Sequence, residues 1–113
     1  MFGLKKTAHA SEEQAVIIKI KLGSAMGSDE ERRHIMALED ELAAAIVKSA
    51  KGEFDGDEFG DGTCTIYAYG PSAEDLFSVE LPILKKFHPP AGAYAIKRFG
   101  KPGAKQERVD VWN

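Results

Sequence analysis

A chain of 113 residues, 43% hydrophobic and 29% charged, is the size of one globular domain that builds its core without metal or disulfide help. Its net charge of -3 argues against nucleic-acid binding driven by phosphate attraction, and its single cysteine, Cys64, excludes an intrachain disulfide and fits a reducing compartment. No stretch approaches the ~20 apolar residues of a membrane span, and the lysines of the first six residues have no apolar run behind them, so the expectation is a cytoplasmic protein without membrane contact.

Residues 1–14 are polar and aperiodic and read as a flexible arm; residues 15–113 read as the single domain. The first strand is expected over 15–22, with Val16, Ile18, Ile20 and Leu22 on its apolar face and Lys19 and Lys21 opposite. After a Gly-bounded turn, Ser28-Asp29-Glu30-Glu31 spells a capping box that opens a helix running to about Lys51. Ile35, Leu38, Leu42 and Ile46 recur at helical spacing, Arg32, Arg33, Glu39, Asp40 and Lys48 form the expected solvated side, and Gly52 reads as the stop.

The acidic, glycine-rich stretch 53–62 predicts an edge strand turning into a second strand over Thr63–Tyr69. Within that strand, alternation puts Thr65, Tyr67 and Tyr69 on one face and Cys64, Ile66 and Ala68 on the other. Gly70-Pro71 breaks it and Ser72 caps a second helix, whose apolar face carries Leu76, Val79, Ile83 and Phe87. Pro82 lies well inside and is expected to kink or divide this helix, and His88-Pro89-Pro90 ends it. A strand over 93–99, a Pro-Gly turn and a last strand over 107–112 complete the chain. The order β-α-β-β-α-β-β matches an α+β, ferredoxin-like β-α-β-β-α-β plait with an added C-terminal strand: an antiparallel sheet with both helices on one face.

Several segments belong together: the acidic run Glu53–Gly60, Tyr67-Ala68-Tyr69-Gly70-Pro71 with Ala73, Leu76 and Phe77, then Pro82, and Lys97-Arg98-Phe99-Gly100 with Pro102-Gly103-Ala104. The set resembles a group of small, uncharacterised bacterial proteins with a ferredoxin-like fold. The resemblance spans about residues 15–112 and implies that fold and a bacterial cytosolic source; it implies no activity, cofactor or site residue.

Four candidate chemistries fare poorly. The carboxylates of Glu53, Asp55, Asp57, Glu58 and Asp61 offer hard oxygen ligands, with Asp55, Asp57 and Asp61 as the weak metal candidates. A calcium-loop reading from Asp55 nevertheless puts Phe59 and Ile66 at ligand positions, and acids on an edge strand also serve to discourage sheet-to-sheet association. His9, His34 and His88 do not converge, and the 23–27 turn lacks phosphate-loop spacing, so no catalytic residue, metal or cofactor is assigned. Cys64, mid-strand between threonines, reads as a small buried apolar residue.

The side of the sheet away from the helices is the candidate binding face, with Lys19, Lys21, Thr65, Tyr67, Tyr69, Lys97, Phe99 and Trp112 expected to share it. Tyrosines and lysines on an open sheet resemble the base-stacking surface of RNA-recognition domains, but aromatic residues are missing at the diagnostic positions, and nucleic acid is set aside. The leading expectation is therefore a non-catalytic binding or interaction module, of which partner masking by an immunity-type protein is one form. Its occupant would be a protein partner, a second copy of the chain or a small anionic ligand. The alternative is a small-ligand sensor or enzyme using the same face. A concave pocket with convergent ionisable groups favours the alternative, and a flat aromatic patch favours the interaction module.

Overall fold

Runs of β-branched residues bounded by glycine, and two serine-capped amphipathic segments, resolve into seven elements. The computed structural model describes residues 13–112. In chain order these are β1 (Gln14–Lys21), α1 (Asp29–Ser49), β2 (Glu53–Gly60), β3 (Thr63–Gly70), α2 (Ala73–Lys86), β4 (Tyr94–Arg98) and β5 (Gln106–Val109). The protein is α+β: two helices and a five-stranded sheet in the order β2-β3-β1-β4-β5, every ladder antiparallel.

The capping box forms as the sequence dictates. Ser28 Oγ accepts the Glu31 N–H at 3.1 Å, and Glu31 Oε1 accepts the Ser28 N–H at 2.7 Å. Glu31 Oε2 also accepts the Gly23 N–H at 2.9 Å, and these backbone bonds hold its pKa below the usual carboxylate value. The other end departs from expectation. The left-handed residue that closes α1 is Ala50, at φ 58°, rather than Gly52. Gly52 is needed for a different reason: a Cβ there would collide with the Tyr69 carbonyl oxygen, because the chain leaving α1 runs tight against the end of β3.

In β2 the ladder to β3 slips between Phe54 and Gly56, a bulge at Asp55. The hairpin turns on Asp61 and Gly62, both at positive φ (55° and 77°), the type I′ geometry whose twist matches the flanking strands. Pro82 neither divides α2 nor ends it. The helix is continuous to Lys86 because Pro82 is exposed, where water can serve the Ser78 carbonyl that proline leaves without its donor.

Register decides the core. Val16, Ile18 and Ile20 of β1 lie beside Ala68, Ile66 and Cys64 of β3, with Ala95 opposite Ile18 from β4. These residues pack with Ile35, Leu38, Leu42 and Ile46 of α1 and with Leu76, Phe77 and Leu84 of α2, so both helices cover the same face. Cys64 is fully buried there, and burial pushes its thiol up to about 12, so it is an inert core residue.

Two carboxyl groups break the apolar pattern. Glu39, expected on the solvated side of α1, is only 8% exposed and faces Asp57 of β2. Burial first, and then the hydrogen bond and negative charge of Asp57, push Glu39 up to about 9. Glu80 of α2 is 1% exposed, its Oε2 has no hydrogen-bond partner, and burial alone raises it to about 8.

The range expected for the arm, 1–14, overlaps the first strand by one residue. Gln14 already belongs to β1, and its Oε1 accepts the Ala73 N–H at 2.8 Å, satisfying a first-turn donor of α2. Residues 1–12, His9 included, lie outside the described residues. Among the described residues no helix is long and apolar enough to cross a membrane.

Candidate functional site

The second face of the sheet follows from the same register. Ala15, Ile17, Lys19 and Lys21 of β1 stand opposite Tyr69, Tyr67, Thr65 and Thr63 of β3, and Arg98, Ile96 and Tyr94 of β4 continue the rows. Because side chains alternate across a strand, all of these project away from the helices.

This face has two unlike ends. At one, Ala15, Ile17, Tyr69 and Arg98 are buried, Ile17 and Tyr69 at 9% exposure each, and Arg98 Nε donates to the Gly100 carbonyl at 2.7 Å. At the other end the sheet opens into a hollow of about 790 Å³, into which Lys19, Lys21, Tyr67, Tyr94 and Arg108 all project. Lys19 Nζ donates to Thr65 Oγ1 at 3.2 Å, and Tyr67 donates its hydroxyl to Glu58 Oε1 at 3.0 Å. The rings of Tyr67 and Tyr69 stack nearly parallel, 6.4 Å apart and 9° from coplanar, which fixes the Tyr67 ring on the floor of the face.

Five of the eight residues expected on this face are on it: Lys19, Lys21, Thr65, Tyr67 and Tyr69. Three are not. Lys97 pairs with Val16 in the ladder and therefore projects to the helix side, where it meets Glu74 at 2.9 Å and Glu107 at 3.4 Å and lies 5.2 Å from the centre of the Phe77 ring. Trp112 lies beyond β5, which ends at Val109. It packs against Phe87, and its Nε1 donates to the Leu84 carbonyl at 2.8 Å, making it a core residue. Phe99 follows the last residue of β4, donates its backbone N–H to the Lys105 carbonyl and does not line the hollow.

Two residues of the site were not anticipated. Tyr94 is opposite Lys19 in the ladder, and Arg108 of β5 lays its guanidinium 3.8 Å from the centre of the Tyr94 ring. The signal for Tyr94 was present, since it shares parity with Ile96 and Arg98; the choice of the opposite parity for β4 concealed it. Arg108 was legible only once β5 was placed in register with β4.

The acidic hairpin does not gather into a metal site. Asp57 faces Glu39 on the helix side, Glu58 projects into the hollow, and Asp61 occupies the turn. Among the described residues no three His, Cys, Asp or Glu side chains converge to hold an ion. His34 sets its ring 5.5 Å from that of Phe87.

Burial raises the Tyr69 hydroxyl to about 12, with the Asp55 carboxylate adding to it. The Tyr67 hydroxyl is raised as well, by burial first and then by its bond to Glu58. Both therefore stay protonated at neutral pH, and Tyr67 serves as the donor to Glu58. No protein-family model, curated protein or solved structure matches the chain.

Proposed function

We propose that this protein is a small-ligand-binding domain, the sensor form of the alternative reading, whose site is the open end of the uncovered sheet face, and that its fold is a ferredoxin-like plait. The fold reading is supported by the strand order, which read from the β5 edge is 5-4-1-3-2, with both helices on one side and β5 added outside β4. The function reading rests on one observation: the uncovered face is concave where its ionisable and aromatic groups converge, and not a flat aromatic patch. A hollow of that size fits a small molecule or the tip of a chain better than the broad, level contact expected of a protein masking its partner. Binding rather than catalysis is favoured because the Tyr67 hydroxyl there is raised further from neutral pH and held by Glu58.

The test uses the full chain, immobilised and exposed to an extract of its source organism, with bound small molecules and proteins both identified by mass spectrometry. Wild type is expected to retain a compound that the double variant Lys19→Ala, Tyr67→Ala does not. A control altered on the far side, Val47→Lys on the exposed surface of α1, is expected to retain it. Retention by the double variant at the wild-type level would refute the site. Loss of a protein in place of a small molecule would support the masking reading instead.

A further inference from the structure

We infer that the hollow takes a phosphate monoester bearing a flat ring, with the phosphate held by Lys19, Lys21 and Arg108 and the ring laid against Tyr67. This rests on the binding reading above and names the class of ligand.

The argument starts from how the cations are held. Lys19 and Lys21 are two residues apart on one strand face, so their stems rise side by side about 7 Å apart. Lys19 is tied to a hydroxyl, Thr65 Oγ1, and Lys21 makes no ion pair among the described residues. On the helix side of the same sheet Lys97 has two carboxylates, so the fold pairs a lysine with acids where it encloses one and leaves these two for something else. The stem of Lys21 lies along Gly92, whose φ of 97° suits glycine, and a Cβ at that position would sit 3.5 Å from Lys21 Cγ and Cδ. Arg108 is steadied on the Tyr94 ring and by Asp110 at 3.0 Å. Three long, flexible cations are thus partly ordered before any ligand arrives, which lowers the entropy cost of closing them on an anion.

Charge count then selects the anion. Two ammonium groups without carboxylate partners among the described residues, joined by a guanidinium already shared with Asp110, match the near-dianion of a phosphate monoester better than a single carboxylate, and charge-assisted bonds to phosphate are the stronger kind. The far wall carries Glu58 and Asp61. These would repel a second anionic group, so the phosphate belongs at the lysine wall and the ligand's far end should carry hydroxyl or amino donors. Between the walls lies Tyr67, one side of its ring stacked on Tyr69, with edge and hydroxyl steered by Glu58. A ring-bearing monoester with donors at its far end, the chemistry of a nucleoside monophosphate, meets all three requirements.

The experiment titrates the full chain, labelled with ¹⁵N, with adenosine monophosphate, adenosine and inorganic phosphate at low and moderate salt. Adenosine monophosphate is expected to give saturable shifts centred on Lys19, Lys21, Thr63, Tyr67 and Gly92, with affinity falling as salt rises. Lys19→Ala and Lys21→Ala should each weaken it about tenfold, while Lys48→Ala on α1 leaves it unchanged. Adenosine and phosphate alone should each bind at least about tenfold more weakly, because each uses one half of the site. Equal binding by adenosine would overturn the role of the cations, equal binding by phosphate would overturn the role of the ring, and no saturable shift with the monophosphate would overturn the ligand class. If that last result came while the extract experiment still separated wild type from the Lys19, Tyr67 double variant, the class would be wrong and the site would stand.

Discussion

Replacing Glu80 by glutamine should change how the stability of this protein depends on pH, by an amount that follows from its burial. The carboxyl is 1% exposed with one oxygen lacking any partner, and burial lifts its pKa from an ordinary 4.5 to about 8. Between those values the folded protein holds a proton that the unfolded chain has released, so stability must fall as pH rises. The loss begins near pH 4.5, proceeds at about 1.4 kcal/mol per pH unit and levels off above pH 8, where it totals roughly 5 kcal/mol. Over pH 5 to 7.5 the share is about 3 kcal/mol, a large part of the margin of a small domain. Glutamine has nearly the same shape and does not titrate, so urea unfolding of Glu80→Gln across that range should lose about 1.4 kcal/mol per pH unit of the wild-type slope. Glu39, raised to about 9, contributes with the same sign in both proteins and drops out of the comparison. Parallel stability–pH curves for the two proteins would show that Glu80 is ionised within the fold, and the argument from burial would be wrong.

Two further outcomes test the packing at the sheet ends. Gly52→Ala should cost about 3 kcal/mol or more, read as a lower urea midpoint, because its new methyl meets the Tyr69 carbonyl oxygen and neither backbone segment can give way cheaply; an unchanged midpoint would show that the approach is not tight. Trp112→Phe should lower stability by roughly 1–2 kcal/mol, through loss of the bond to the Leu84 carbonyl and of ring area against Phe87, yet leave adenosine monophosphate shifts at Lys21 and Tyr67 in place; loss of those shifts with stability intact would return Trp112 to the binding face.

Local pattern carried a good deal of this protein. Ser28 and Glu31 make a capping box wherever the fold puts them, since the bonds span three residues. The alternation of β1 and β3 likewise grouped Lys19 and Lys21, and Thr65, Tyr67 and Tyr69, because a strand's period of two is a property of its backbone. The Asp61-Gly62 turn was also legible in principle, as that dipeptide favours the positive φ values a tight hairpin needs.

What alternation could not say is which of its two faces a helix would cover. In Tyr94-Ala95-Ile96-Lys97-Arg98 both parities carry apolar residues, and only the pairing of Ile18 with Ala95 and of Val16 with Lys97 turned Lys97 toward α2 and left Tyr94 and Ile96 on the open side. Trp112 was misplaced for a related reason: strand propensity ran on past Val109, but the chain leaves the sheet there and the indole finds its acceptor at Leu84. Glu39 and Glu80 each stand four residues after a core residue, Ile35 and Leu76, so the helical period already sets them beside the apolar stripes; they become buried, proton-holding groups because β2 and the core close over those stripes. Sequence by itself thus determined which side chains share a face within one element, since that depends on bonds a few residues apart. Tertiary structure decided which faces meet and where the sheet stays open, because that depends on register between strands distant along the chain.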